Sequence, residues 1–334
     1  MFKNSKPSGL TLLLVVILLI AVGLFFWVSR QLSVRPDLGE TKFGITFSSL
    51  YTTQLGLNVK ETYQALVDEL GVRTVRLPVY WSQIEQESGR FDWEEMDWLV
   101  DYSKEHEVAL TLVVGAKVPR WPECFIPDWA EKLSSADRQK AVLSFLETTV
   151  NRYKTVSVVE RWQVENEPFF PFGECPKLSP KQFLERVDLV RHLDSSRPIQ
   201  ITVSGELGVW ETEAEAADIL GISMYRLTWN DVFGYFIYPL TPNFYYLRAQ
   251  LVKDEVDQVI VSELQAEPWF SDPIDSRPRI QWYSAFTEEM FQNNVQFAKD
   301  AHLPEAYLWG AEWWYALKKE GDERLWNVAK NIFN

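Results

Sequence analysis

The chain has 334 residues, 46% of them hydrophobic, which is enough for one large domain with a sizeable core. Lys and Arg number 33 against 47 Asp and Glu, a formal charge of -14, so most of the surface repels a phosphate backbone; nucleic acid is excluded as a general partner and a neutral one is favoured. The 15 Trp, 13 Tyr and 20 Phe supply rings that stack on sugar faces as readily as they fill cores, and core packing is expected for most of them.

The first element is the uncharged run from Gly9 to Val28, GLTLLLVVILLIAVGLFFWV. At about 1.5 Å per residue, a helix of this length crosses a bilayer core of about 30 Å, so a transmembrane segment is expected. Lys3 and Lys6 precede it and acidic residues follow beyond Arg35, which puts residues 1–8 in the cytoplasm and the remainder outside the cell membrane. A cleaved signal peptide, which would leave a secreted protein, is the competing reading. The apolar run is longer than a usual h-region, however, and Trp27, Val28 and Ser29 make a poor cleavage site, so an uncleaved anchor is favoured. Residues 29–41, SRQLSVRPDLGET, read as a linker, and residues 42–334 as one folded domain.

Within that domain, short β-branched or apolar runs alternate with amphipathic stretches. Strands are expected at Lys42 to Phe47, Thr74 to Pro78, Ala109 to Val114, Val158 to Val164, Pro198 to Val203, Ile219 to Met224, Val259 to Ser262 and Ala306 to Trp309. Helices are expected between them at 58–70, 92–106, 137–154, 180–193, 210–217, 243–254 and 279–301, with 322–333 last. One helix start is well signed: Ser179 caps, Pro180 takes the first helical position and Gln182 the reciprocal capping-box position. Strict alternation with continuously apolar strands indicates a parallel sheet covered by helices, and eight units close into a (β/α)8 TIM barrel. A doubly wound open sheet is the alternative, but no GxGxxG or GxxxxGK[ST] loop follows the first strand.

Function in such a barrel collects at the carboxyl ends of the strands. There the second strand leads to Arg76, Tyr80, Trp81 and Glu85, the fourth to Glu165, Asn166 and Glu167, and the seventh to Glu263 and Glu267, while Glu312 follows the eighth. Two carboxylates on separate strands suit glycosidic bond cleavage, in which one protonates the leaving oxygen and the other attacks the anomeric carbon or activates water. Solvated or Arg-paired glutamates are the structural alternative. Side-chain alternation puts Glu165 and Glu167 on one face and Asn166 on the other until Pro168 breaks the strand, and so does not choose between the glutamates. Glu167 lies nearer the rim; Glu165 lies deeper, where an Arg partner or a structural role is expected.

The segment RLPVYWSQIEQESGRFDWEEMDWLVDYSKEHEVALTLVVG resembles the strand-two region of clan A glycoside hydrolases, Asn166-Glu167-Pro168 matches the clan's strand-four motif, and Glu263 in VSELQAEPW matches its strand-seven nucleophile. The similarity to these cellulase-like enzymes spans residues 42 to 315, and the order of the motifs is more specific than any one of them. The resemblance implies a retaining glycosidase acting on β-linked oligo- or polysaccharides, with Glu167 as acid then base and Glu263 as nucleophile. It further implies that Asn166 binds the sugar 2-hydroxyl, that Arg76 and Tyr225 support Glu263, and that Glu167 sits in a less polar setting between Trp162, Phe169 and Phe170. Trp309 is the expected aromatic floor, with Trp313 sharing its side if the strand continues. Trp81, Trp121 and Trp269 are further substrate-side aromatics for which core packing is the equal alternative.

One departure is visible: Ser223 stands two positions before Tyr225, where the clan's cellulase family commonly has His. His106, His192 and His302 all fall on expected helices, which argues against a His-containing metal site or a Ser-His-Asp triad at the rim. No cofactor is implied. Cys124 and Cys175 fall in the neighbouring loops after the third and fourth strands, and a disulfide between them is expected in an exported domain. Two other functions use the same rim: a barrel that binds cell-surface glycans without cleaving them, and a transglycosylase in which an acceptor sugar replaces water.

Overall fold

The computed structural model describes residues 40–230 and 232–333, together with Gly9, 15–20, 22 and 23. The expected membrane segment and linker therefore lie largely outside the described residues. Among the described residues no helix is long and apolar enough to cross a membrane.

The folded domain is a closed parallel barrel of eight strands, as expected from the alternation. In chain order these are β1 (Lys42–Thr46), β2 (Thr74–Pro78), β3 (Ala109–Val114), β4 (Val159–Val164), β5 (Ile199–Val203), β6 (Ile219–Met224), β9 (Gln258–Gln265) and β10 (Glu305–Trp309). β10 closes the ring by pairing with β1, with Lys42 opposite Glu305 and Thr46 opposite Trp309. Two further strands that periodicity did not reveal, β7 (Leu227–Asn230) and β8 (Gly234–Ile237), form an antiparallel hairpin after β6. Their run is short and only half-buried, so it carries no strong apolar pattern.

Helices cover the outside of the barrel. The helix Pro180–Leu193 starts with the expected capping box, Ser179 and Gln182 each satisfying the other's backbone N–H. The stretch expected as one helix at 279–301 is instead a 3-10 segment, Arg279–Ala285, and an α-helix, Glu288–Asp300, that starts at its own cap, Thr287. The expected 58–70 helix runs as an α-helix, Val59–Gln64, continued by a π turn, Ala65–Glu69. Trp81, Trp162, Trp210, Trp282, Trp313 and Trp314 are fully buried and fill this outer layer. Truncating any such ring to Ala costs about 3–5 kcal/mol, so much of the aromatic content is explained by stability.

Two irregularities aim side chains at the carboxyl end of the barrel. Against both its neighbours β9 holds one residue too many: Ile222 faces Val261 but Ser223 faces Glu263, and Ala306 faces Val261 but Leu308 faces Leu264. The extra residue is a bulge, which re-aims the side chains that follow it. At the end of β4, Glu165 and Glu167 have φ of 61° and 44°, left-handed values uncommon outside glycine.

Candidate active site

The first left-handed turn separates the two glutamates that alternation had put on one face. The Glu165 carboxylate swings out of the barrel, where it accepts the backbone N–H groups of Ala116 (3.0 Å) and Lys117 (2.7 Å) and pairs with Arg186 (2.7 Å) from the helix Pro180–Leu193. Arg186 is itself braced by two hydrogen bonds to Gln139. Glu165 is thus fully used as a structural anchor. Asn166 and Glu167 turn back over the barrel end. Lys117 holds that turn by donating from Nζ to the carbonyls of Glu167 (2.9 Å) and Phe170 (2.8 Å).

Arg76, fully buried on β2, organises the centre. Its Nε donates to Gln163 Oε1 (2.7 Å), its Nη1 to Glu263 Oε1 (2.9 Å) and its Nη2 to Asn166 Oδ1 (2.7 Å). The other Glu263 oxygen accepts the Tyr225 hydroxyl at 3.0 Å. Each oxygen of Glu263 therefore faces a donor, and one of those donors carries a full charge. The phenol of Tyr225 is correspondingly held protonated, its pKa raised well above the usual value by burial and by the Glu263 charge.

Glu167 has the opposite surroundings. Its side chain accepts one hydrogen bond, from Ser223 Oγ (2.9 Å), and its backbone N–H donates to Thr202 Oγ1 (2.9 Å). Burial first, then the charges of Glu263 and Glu123, push its pKa well above the ordinary carboxylate range. Of the rings expected to flank it, Phe169 packs on Phe183 of the helix Pro180–Leu193 and Phe170 meets Phe172. Trp162 faces the helices, its indole N–H donating to Asp194 (2.9 Å), so the neutral form of Glu167 is favoured by burial and like charge more than by that ring.

The orientation of Asn166 is settled by its partners. Its Oδ1 accepts from Arg76, Thr202 (3.0 Å) and Gln163 (3.3 Å), and its Nδ2 donates to Glu123 Oε2 (3.0 Å). Glu123 was not singled out from the sequence. It lies in the loop after β3 beside Cys124, at φ of 74°, and is buried with its pKa raised to about 8 by desolvation and by Glu263. Ser223, noted only as a departure, and Thr202 also escaped notice as contacts of the Asn-Glu pair. Polar residues interrupting otherwise apolar strands were their visible signal.

The aromatic candidates divide. Trp81 and Trp313 are fully buried away from the rim, and neither offers a face to a sugar. Trp81 packs on Phe145 and donates to Glu85 (2.7 Å). Trp313 lies on the helix Ala311–Lys319, because the strand stops at Trp309, and packs against Phe270. Trp121 is exposed at the rim and meets Phe172, which in turn meets Trp269; Trp269 stands edge-on to Tyr225. Trp309 lies at the end of β10 with one face covered by the Arg120 guanidinium, 4.2 Å from the ring centre. Glu267 and Glu312 are both bonded to Arg120. The Cys124–Cys175 disulfide joins the loops after β3 and β4, as expected.

Among the described residues no group of His, Cys, Asp and Glu is arranged to hold a metal ion. What the arrangement can do is acid-base and nucleophilic chemistry: one carboxyl biased toward its protonated form, another held between donors, and an amide oriented between them.

A parallel barrel with paired glutamates ending β4 and β9 is the architecture of clan A glycoside hydrolases, and the likeness extends to sequence. The sequence model of glycosyl hydrolase family 10 matches residues 37–184. Endo-1,4-beta-xylanase 3 of Hypocrea jecorina is 26% identical over 122 residues, which are 35% of this chain and 32% of that enzyme; the match thus spans about a third of the curated relative. A psychrophilic glycoside hydrolase family 10 endo-beta-1,4-xylanase shares the fold with a TM-score of 0.52 at 15% identity, over 81% of this chain and 86% of that one. GH5_18 from Bifidobacterium longum subsp. longum does so with a TM-score of 0.57 at 15% identity, over 81% and 70% of the two chains. The beta-galactosidase of Rahnella sp. R3 reaches 0.58 at 11% identity, over 88% of this chain and 55% of its own.

Proposed function

We propose that the protein is a retaining glycoside hydrolase acting on β-linked oligo- or polysaccharides, with Glu167 as acid and base and Glu263 as nucleophile. The observation that supports this most is the contrast between the two carboxyl groups. Glu263 is held by a guanidinium and a phenol, as an anion that attacks C1 requires; Glu167 is buried with one hydroxyl partner and biased to hold its proton. In the first step Glu263 bonds to the anomeric carbon, the glycosidic bond breaks, and the Glu167 proton goes to the departing oxygen. In the second, Glu167 takes a proton from water as that water displaces Glu263. The free N–H of Asn166 Nδ2 is available to the sugar 2-hydroxyl, an interaction that strengthens as positive charge develops at C1.

The contrast disfavours a barrel that only binds glycans, since mere binding has no use for two carboxyls in such different surroundings. The uncharged run 9–28 and the disulfide support a domain held outside the membrane on an amino-terminal anchor. Protease accessibility of the domain on intact cells tests this placement.

The chemical test uses aryl β-glycosides of glucose, galactose, mannose and xylose, with proton NMR of the first-formed product. A β product that disappears in Glu263→Gln is expected. An α product would replace retention by inversion, and undiminished activity in Glu263→Gln would remove the nucleophile assignment. Transglycosylation would appear as products longer than the substrate.

A further inference from the structure

The roles of Glu167 and Glu263 fix the direction in which a sugar chain would lie. The leaving group departs on the side of the acid, over β4 to β6, where Thr202 and Ser223 hold Glu167. The sugar that is attacked lies over Glu263 on β9, and any sugars on its non-reducing side extend away from the acid. In the closed strand order the position across the barrel from β4 is β10, flanked by β1 and β9. That part of the rim is filled. Arg120 reaches across it from the loop after β3, its guanidinium sandwiched between Tyr51 at 3.8 Å and Trp309 at 4.2 Å. Each end is tied by a carboxylate, Glu267 after β9 and Glu312 after β10. Behind them Glu312 accepts the backbone N–H of Ser48, whose hydroxyl meets Tyr80 at 2.6 Å. Arg120, Tyr51, Trp309, Glu267 and Glu312 are all at least nine-tenths buried by one another and their surroundings.

We propose that Arg120 is a specificity-determining residue that closes the non-reducing side of the site, so that the protein removes single sugars from chain ends and does not cut within chains. This rests on the hydrolase reading above and deepens it. Arg120 acts here as a wall. Two carboxylates already offset its charge, so it is not set to receive an acidic sugar, and its buried Nε has no hydrogen-bond partner. Its φ of 89° is left-handed, and the turn around it is held by the Glu123 N–H donating to the Arg120 carbonyl at 2.7 Å. The wall is thus part of the same loop that delivers Glu123 to Asn166. The contrast is with the matched relative, an endo-1,4-beta-xylanase by name, whose action requires room on both sides of the cleaved bond.

The experiment uses the full chain in detergent. Aryl β-monosides of glucose, galactose, mannose, xylose and glucuronic acid identify the sugar accepted, and reducing-end-labelled tetramers of that sugar are then digested to low conversion and resolved by mass. Monosaccharide and a labelled trimer as the sole early products are expected, with no glucuronide turnover. Disaccharide or larger fragments released from the non-reducing side at first cleavage overturn the inference while leaving the hydrolase reading intact. No turnover of any monoside or tetramer removes the hydrolase reading and the inference with it. In Arg120→Ala, disaccharide release should appear, at least tenfold above the wild-type trace. A folded R120A with an unchanged product pattern overturns the role of Arg120, and the wild-type product size decides the question of end-cutting even if this variant does not fold.

Discussion

Gly115 and Glu165 share one space: a Cβ on Gly115 would stand 2.2 Å from Glu165 Oε1, and Gly115 has a φ of 137° that side chains rarely adopt. The glutamate can leave the barrel only because glycine faces it. Gly115→Ala is therefore expected to destabilise the fold by about 2 kcal/mol or more, through overlap and backbone strain together. It should also lower activity, because the displaced Glu165 carries the turn that presents Asn166 and Glu167. Chemical denaturation of the variant, followed beside its turnover, checks both; a variant as stable and active as the parent would show the close approach to be dispensable.

On the proposed assignment, Glu167→Gln removes the proton donor without changing shape. Hydrolysis of substrates with poor leaving groups should fall by about 10²–10⁴-fold, the usual worth of general acid catalysis, whereas a dinitrophenyl glycoside, which departs without a proton, should lose far less in its first step. Comparing the two leaving groups under single-turnover conditions separates the acid role from a structural one.

The third carboxyl, Glu123, gives a pH prediction of definite sign. Above about pH 8, where Glu123 itself ionises, its charge is among the causes that raise the Glu167 pKa, so in that range Glu123→Gln makes loss of the Glu167 proton easier. The alkaline limb of the rate profile, set by deprotonation of the acid, should then move to lower pH. A limb that stays in place or moves upward contradicts the assignment of that limb to Glu167.

Arg76→Met leaves the buried Glu263 carboxylate and the Asn166 amide oxygen each short of a donor. Breaking a buried ion pair from one side costs about 3–5 kcal/mol, so a large drop in melting temperature is expected together with loss of turnover. Arg76→Lys should recover part of the stability, since it restores the charge, and less of the activity, since one ammonium cannot serve Gln163, Asn166 and Glu263 in their fixed directions.

Stability itself should fall as pH rises through neutrality. Burial raises Glu123 to about 8 and Glu312, Glu206 and Glu213 to about 7, so near neutral pH the folded chain keeps protons that the unfolded chain has released. Such groups stabilise fully below the ordinary carboxylate range, and this contribution is lost progressively up to about pH 8. Thermal unfolding measured across that interval should show a decreasing midpoint, with a shallower slope in Glu123→Gln.

The barrel was legible because its cause is periodic: apolar strands of five to eight residues separated by amphipathic helices leave a pattern that composition cannot hide. The glutamates at the ends of the fourth and seventh barrel strands were legible as rim carboxyls. Their aim was not. Alternation assigns Glu165 and Glu167 to one face, and two left-handed residues undo it; it offers no sign of the bulge at Ser262 that sits just ahead of Glu263. Arg120 and Glu123 were hidden for a related reason, since a loop carries no period, and only the folded turn shows that both side chains enter the rim. Trp313 does not share the side of Trp309, because the aromatic run continues past Trp309 while the strand does not; Gly310, at φ of 128°, turns the chain into a helix there.

The bridge between Cys124 and Cys175 makes the loops after β3 and β4 a single cassette. One loop brings Arg120 and Glu123; the other brings Phe172, and its Gly173 lies so close that an added Cβ would sit 2.6 Å from that of Glu123. Anyone transplanting the substrate preference of this barrel onto another would move the two segments as a covalently joined pair, because the bridge and this close approach fit each to the other.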